Sequence, residues 1–425
     1  MQSISGQGKS EVVPRGSPVP SLSLVSRLAK SALCRMLARL ERGCVTLIDG
    51  EVAQTFGDKA SDLHATVTVE DHSFYRRTML SGSLGAAEAF MDGLWTCDNL
   101  PALCRIFTRN ASMADGMDRG LARLFFAIAK ALHWINRNSR RGSKRNIAAH
   151  YDLGNDFFRL WLDETMTYSS GFFERPNATL KEASIAKLDR ICKRLSLGPS
   201  DHVLEIGTGW GSFALHAASN YGCQVTTTTI SREQHDLATA RIAQAGLADR
   251  VAVVQKDYRD LDGRYDKLVS IEMIEAVGHD YLPVFFEKCS SLLKPDGAMI
   301  LQVITMNDQR YEQYRRSVDF IQRYIFPGSC CPSVSAVASA MASKSDFKLS
   351  YHEDFGLHYA RTLSLWRKRF FEVIDEVHSM GYDDRFIRMW DYYLSYCEAG
   401  FAERYIGVAQ MMLTKPSWRP VGETT

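Results

Sequence analysis

The chain contains no apolar run approaching the ~18 residues that a membrane-crossing helix requires. A basic-then-apolar leader is missing as well: residues 2–23 are rich in Ser, Gly and Pro, the composition of a disordered tail. These absences predict a soluble, cytoplasmic protein whose contact with a bilayer is peripheral. Cysteine is present without pattern. Its 10 residues scatter, apart from the adjacent Cys330 and Cys331, and none has metal-knuckle spacing. A disulfide framework of the small secreted kind is therefore excluded, and reduced thiols with no metal site are expected. Net charge is nearly absent: 51 Lys and Arg against 49 Asp and Glu leave +2, which gives no overall pull toward nucleic acid. Internal repeats are absent too.

A length of 425 residues exceeds one ordinary core, so two domains are expected. After a tail over 1–23, residues 24–115 form a mixed segment. It holds a helix-spaced apolar pattern with basic residues between, Arg27-Leu-Ala-Lys-Ser-Ala-Leu-Cys-Arg-Met-Leu-Ala-Arg-Leu40, then strand-like stretches at 44–49 and 64–69. Residues 116–148 read as a helical, basic linker, helical over 117–136 and then dense in Arg and Lys over 137–145. That basic stretch is either a solvated connection or a patch for an anionic membrane surface. From 149 to 425, strands and helices alternate as a parallel sheet requires. Strands are predicted at 202–206, 224–230, 250–255, 267–271 and 298–305, with Pro295-Asp-Gly297 turning into the fifth. Residues 406–414 are a candidate closing strand. The stretch 307–399 is mostly helical and aromatic-rich, too long for a connection, and reads as a lid over the site.

The motif with most chemical content is Val203-Leu-Glu-Ile-Gly-Thr-Gly-Trp-Gly211. An apolar strand, the carboxylate of Glu205 and three alternate glycines lead into a helix. Gly207, Gly209 and Gly211 let the backbone turn tightly and approach a ligand. Their spacing departs from the dinucleotide Gly-x-Gly-x-x-Gly and fits the loop with which S-adenosylmethionine (SAM) methyltransferases seat their cofactor. The second strand ends without the usual ribose-binding acid, so Gln234, donor and acceptor at once, is the candidate in its place. The third strand ends at Asp257 and Tyr258, where an acid and an aromatic frame adenine. Asp257 reads equally as a helix cap.

Several collinear stretches resemble the cyclopropane fatty acid synthases, SAM-dependent enzymes that act on unsaturated acyl chains of membrane phospholipids. They are His150-Tyr-Asp-Leu-Gly-Asn-Asp-Phe-Phe158, Met166-Thr-Tyr-Ser169, the Gly207 loop and Thr229-Ile-Ser-Arg-Glu-Gln234. Further on come Asp257-Tyr-Arg-Asp-Leu261, Glu272-Met-Ile-Glu-Ala-Val-Gly278, Tyr324-Ile-Phe-Pro-Gly328 and His358-Tyr-Ala-Arg-Thr-Leu363. The match runs from about residue 146 to the C-terminus and extends more weakly over the N-terminal segment. The resemblance implies an α/β fold, a Rossmann-like doubly wound methyltransferase sheet with a smaller N-terminal α+β lipid-binding domain. It implies cofactor contacts from Tyr168, Ser169, Gly207, Gly209, Thr229, Ile230, Gln234, Tyr258, Arg259 and Ile271, to which the loop adds Glu205 and Gly211 and the third strand Asp257.

The family also holds a bicarbonate ion beside the reacting methyl, and Glu275, Ile304 and Tyr359 fall on positions that bind it. Two other positions depart from the family pattern: Ser170 stands for a cysteine and Gln302 for a histidine. Cys397 matches a cysteine once assigned to catalysis. A buried structural thiol is the expected role, because methyl transfer to an alkene needs no nucleophilic sulfur. Such a transfer leaves a carbocation that aromatic faces can stabilise. Candidates are Phe172, Phe173, Tyr324, Phe326, Tyr359 and Trp366, each of which could equally be core packing.

Deprotonation of the cation by the bound bicarbonate gives a cyclopropane, and hydride migration first gives a methyl- or methylene-branched chain. An amine N-methyltransferase and a non-catalytic lipid-binding protein are the more distant alternatives. The expected partners are phospholipid acyl chains and the inner face of the membrane, with no nucleic acid; a homodimer stays open.

Overall fold

The structure, a computed structural model, describes residues 23–111 and 153–420. The tail, the expected helix at 117–136, the basic stretch at 137–145 and the first residues of the His150 motif lie outside the described residues. Helix α1 (Leu24–Leu37) opens on Ser23, whose hydroxyl accepts the Ser26 N–H at 3.1 Å and satisfies one of the free donors of a helix start. Strands β1 (Cys44–Asp49), β2 (Val52–Gly57) and β3 (His64–Val69) follow, then α2 (Ser73–Met91), β4 (Trp95–Cys97) and α3 (Leu100–Arg109). The sheet order is β2-β1-β3-β4, with β1 parallel to β3. Val45, Leu47, Ala65, Val67 and Val69 pack in one cluster with Phe74, Phe90 and Leu103 from the helices. The sequence pattern shows β1 and β3 and misses the other two strands. Strand β2 is exposed at every position except the half-buried Phe56, and β4 has three residues, so neither alternates.

The larger unit begins with α4 (Asn155–Trp161) and α5 (Leu180–Arg194), the latter closed by a reciprocal cap between Thr179 and Glu182. Then come β5 (His202–Ile206), α6 (Ser212–Tyr221), β6 (Gln224–Thr229), α7 (Arg232–Gln244), β7 (Val251–Gln255), β8 (Tyr265–Ile271), α8 (Leu282–Leu292) and β9 (Leu293–Met306). The chain ends through α9 (Asp308–Tyr314), α10 (Val334–Lys344), β10 (Lys348–Asp354), α11 (Gly356–Glu372), α12 (Ile374–Ser379), α13 (Asp384–Ala402) and β11 (Ile406–Thr414). The seven strands are ordered β10-β11-β9-β8-β5-β6-β7. Strands β5 to β9 run parallel, while β11 is antiparallel to β9 and β10 antiparallel to β11. This is the expected α/β methyltransferase architecture. The chain proceeds outward from β5 through β6 and β7, then returns to β8 on its other side. The crevice beyond the end of β5 is thus the switch point at which such sheets bind ligands.

Two details correct the sequence reading. The fifth strand begins at Leu293, so Pro295-Asp-Gly297 lies within it, where the pairing with β8 shifts between Tyr265 and Lys267. Within 307–399, β10 adds an edge strand to the sheet; most of its residues are exposed, and no alternation marks it. The last long helix, α13, joins the two units. Arg105 and Arg109 of α3 both reach Glu403 just after α13, at 2.6 and 2.8 Å, and Arg385 meets Asp92 at 2.8 Å.

Candidate active site

The buried residues Val203, Leu204 and Ile206 fix β5 in the sheet, and the chain leaves it through three left-handed glycines, with φ of 104° at Gly207, 52° at Gly209 and 85° at Gly211. A Cβ on Gly207 would lie 3.2 Å from the Met273 side chain, and one on Gly211 would lie 3.3 Å from the Ala238 Cβ. On Gly209 it would meet no atom within 4 Å and would enter the cavity that Gly209 lines. Gly207 and Gly211 therefore serve packing, and Gly209 leaves a bare backbone facing open space. Both the Gly207 and Thr208 amides donate to the Thr228 carbonyl at 3.0 Å, tying the loop to β6. Glu205 is buried beneath it and accepts from the Thr227 hydroxyl at 2.5 Å; burial pushes its carboxyl up to about 8.

One cavity of about 1140 Å³ brings together every expected cofactor residue except Gly211: Tyr168, Ser169, Glu205, Gly207, Gly209, Thr229, Ile230, Gln234, Asp257, Tyr258, Arg259 and Ile271. Gly211 stands behind the loop, where it starts α6. The Gln234 carbonyl oxygen accepts from the Thr229 hydroxyl at 2.8 Å, so its amide N–H groups are its main offer to a ligand. Asp257 does cap the turn after β7, accepting the Arg259 N–H at 3.0 Å. It also grips the Arg259 guanidinium at 2.8 and 2.6 Å while lining the cavity. Tyr168 shares a 2.8 Å hydrogen bond with Tyr393, and the Ser169 hydroxyl accepts from buried Lys187 at 2.7 Å. Bare glycine backbone, amide donors and an aromatic shelf suit SAM.

The expected catalytic residues divide. Glu275, Tyr359, Ile304 and Cys397 line the cavity; Ser170 and Gln302 do not. Glu272, which also lines it, gathers these groups around itself. Its Oε1 accepts from the Ser170 backbone N–H at 3.0 Å and the Gln302 amide at 2.7 Å, and its Oε2 accepts from the Tyr359 hydroxyl at 2.8 Å. Glu275 accepts the Ile304 N–H at 2.5 Å through Oε1, while its buried Oε2 has no partner. Burial, and then the neighbouring charge of Glu272, push the Glu275 carboxyl up to about 8. The donors expected to hold bicarbonate are engaged within the chain. Tyr359 and the two departing positions give their donors to Glu272, and Ile304 gives its N–H to Glu275. Ser170 contributes only its backbone N–H there, since its hydroxyl donates to the Gly171 carbonyl at 3.0 Å. Burial raises the Cys397 thiol far above its ordinary range, which keeps it a neutral, unreactive group.

Of the aromatic candidates, Phe326 and Tyr359 reach the cavity, and the other four pack elsewhere. Phe172 lies under the Arg190 guanidinium and stacks on His358, Phe173 lies under Arg361, Trp366 is wholly buried, and Tyr324 donates to Glu88 at 2.6 Å. Tyr392, Tyr396 and Phe401 line the cavity unforeseen. They lie on α13 with the apolar spacing of any core helix, so no local signal marks them. The cavity continues past them into the first 111 residues, between Leu33, Leu37, Val45, Leu47, Val67 and Leu103. Among the described residues no helix is long and apolar enough to cross a membrane, and no cluster of His, Cys, Asp and Glu could hold a metal.

The family model described as mycolic acid cyclopropane synthetase matches residues 138–411. The chain belongs to this family. Tuberculostearic acid methyltransferase UfaA1 of Mycobacterium tuberculosis is 35% identical over 422 residues, covering 95% of this chain and 94% of the relative. The cyclopropane-fatty-acyl-phospholipid synthase of Escherichia coli K12 is 35% identical over 359 residues, 83% of this chain and 88% of the relative. Among solved structures, the cyclopropane synthase MmaA2 of Mycobacterium tuberculosis matches with a TM-score of 0.60 at 33% identity. That match covers 64% of this chain and 98% of the other. Mycolic acid cyclopropane synthase CmaA1, complexed with S-adenosylhomocysteine (SAH), matches equally well at 32% identity over the same shares. The protein is thus a SAM-dependent methyltransferase, of the kind that cyclopropanates or methylates fatty acyl chains.

Proposed function

We propose that the protein adds the methyl carbon of SAM across the double bond of an unsaturated phospholipid acyl chain and closes a cyclopropane ring. The observation that carries this reading is the continuity of the cavity: it joins the Gly207 loop, passes Glu272, Glu275 and Tyr359, and enters the apolar interior of the N-terminal sheet. Bound SAM supplies an electrophilic methyl group. The chain's part is to hold a weakly nucleophilic alkene in line with it and to exclude water. Phe326, Tyr359 and Phe401 present aromatic surface to a developing cation without a nucleophile that would trap it. The donors that the family resemblance assigns to bicarbonate are engaged by Glu272 and Glu275.

The N-terminal unit supports a lipid substrate. Leu24, Val25 and Leu28 of α1 are exposed at 67%, 48% and 60%, while Leu33 and Leu37 of the same helix line the cavity. One helix thus offers apolar side chains to a bilayer and to the tunnel, which suits peripheral attachment at the inner membrane face. The test is incubation with SAM and vesicles of unsaturated phospholipid, followed by mass and proton NMR analysis of the acyl chains. Chains one CH₂ heavier with high-field cyclopropyl protons are expected; unchanged chains would refute the reading.

A second product is favoured by one observation. The tuberculostearic acid methyltransferase covers 95% of this chain, N-terminal segment included. If the cation shifts a hydride before losing its proton, a methylene branch forms. The same spectrum would then show vinylidene protons in place of the cyclopropyl ones.

A further inference from the structure

We propose that the carboxylate of Glu272 stands where the family resemblance puts bicarbonate, so that this chain supplies its own proton acceptor and turns over without the added ion. The inference rests on the reading of the protein as an acyl-chain methyltransferase. Three elements converge on this one side chain: the Ser170 N–H at 3.0 Å, the Gln302 amide at 2.7 Å and the Tyr359 hydroxyl at 2.8 Å. Planar, two-oxygened and bound by donors on both oxygens, the group satisfies the contacts a bicarbonate would need. The two departures from the family pattern then have a common sense. An amide at 302 always has an N–H to give a carboxylate, and position 170 contributes only backbone, so serine loses nothing.

Backbone geometry supports the assignment. Glu272 has a φ of 48°, a conformation that favours glycine, yet the chain places a long acidic side chain there. Its own N–H donates to the Gln302 backbone carbonyl at 2.8 Å, which pins the backbone from which the side chain departs. Strain of this kind persists where the surroundings over-determine it, commonly at functional sites. The neighbouring acids are unequal in their partners: Glu275 has one buried oxygen without a donor, while both Glu272 oxygens accept, and these three donors and buried Lys187 oppose the burial that raises its carboxyl.

The step balances without a co-reactant. The π pair of the alkene forms the bond to the methyl carbon, and the pair of the broken S–C bond stays on the leaving thioether. The resulting cation is closed by the pair of one methyl C–H bond, whose proton passes to the Glu272 carboxylate and later to water.

The test uses the full chain in carbon-dioxide-stripped buffer, with SAM and unsaturated phospholipid vesicles. A second arm titrates the SAH-bound protein with ¹³C-bicarbonate under NMR. Wild type should change less than about twofold in turnover on adding bicarbonate and should leave the ¹³C signal unaltered. Glu272→Gly, which suits the left-handed backbone and empties the site, should lose about 100-fold in stripped buffer. It should regain at least about tenfold with bicarbonate and broaden the ¹³C signal. Glu272→Gln should lose turnover without rescue, because the amide still fills the site. Melting curves and SAH affinity establish that each variant is folded. Bicarbonate binding to wild type, or stimulation of wild type by it, overturns the proposal. The binding arm decides this whatever product forms, and a wild type that alters no acyl chain refutes the functional reading separately.

Discussion

Gln410 on β11 stands directly opposite Gln302 on β9 and donates its amide to the Gln302 carbonyl oxygen at 3.0 Å, with both side chains fully buried. The contact decides which end of the Gln302 amide meets Glu272. With its oxygen occupied, Gln302 presents N–H to the carboxylate at 2.7 Å. Gln410→Leu leaves Gln302 free to rotate and strands its buried oxygen, a cost of ~1–3 kcal/mol. Turnover is expected to fall about tenfold with SAM affinity unchanged, as steady-state kinetics and calorimetry would measure. Loss of SAM binding instead would mean that the pair supports the cofactor pocket.

The raised carboxyl of Glu275 makes a prediction about pH. Its folded value of about 8 lies above the ordinary 4.5, so the folded chain takes up a proton that the unfolded chain has released. Stability from this group is full below pH 4.5, declines as pH rises, and is gone once pH has passed 8. Glu275→Gln removes that slope, and thermal melting should show it several degrees above wild type at pH 8.5 with little gain at pH 5. Glu205, raised to about 8 by burial, keeps part of the slope in both proteins. Since a neutral amide resembles the protonated acid, turnover in this variant should fall less than in Glu272→Gln.

Gly209 and Gly211 share a left-handed backbone and differ in what a methyl group would meet. An alanine at either position pays ~1 kcal/mol for its φ. At 209 the new Cβ enters the cavity, so SAH affinity should drop at least about tenfold while melting shifts by only a few degrees. At 211 it presses on Ala238 at 3.3 Å, so the loss should be in melting temperature, with affinity largely kept. Calorimetric titration and melting of the two variants separate the cases, and identical profiles would contradict this division of roles.

What the sequence disclosed follows from how local each feature is. Strand β5, the glycine loop and the closing strand β11 carry contiguous patterns, and both strands have the bounds that the sequence predicts. Strands β2 and β10 are solvent-exposed edges, so burial imposes no alternation on them. The cofactor half of the site sits at the ends of consecutive strands and is legible for the same reason. The catalytic half is not: Ser170, Glu272, Gln302 and Tyr359 are up to 189 positions apart in the numbering and meet only through the sheet register and the packing of α11. Nothing near Glu272 in sequence shows the three donors that arrive from elsewhere.

The tunnel's far end supplies the last prediction. Val45 and Leu47 on β1 line the cavity within the N-terminal sheet, far along the chain from every residue assigned to cofactor or proton transfer. A larger side chain there shortens the apolar space without touching the chemistry. Each methylene of an acyl chain is worth ~0.8 kcal/mol when buried, so excluding two of them forfeits ~1.6 kcal/mol, or about fifteenfold in kcat/KM. Val45→Phe should lose that factor on long unsaturated chains and much less on short ones, with SAH affinity as in wild type. Overpacking costs ~1–3 kcal/mol of stability, which melting curves would register as an equal handicap for every substrate. The selectivity ratio between long and short chains is therefore the informative measurement. A ratio that does not move would show that the acyl chain takes another route from Glu272 to the bilayer.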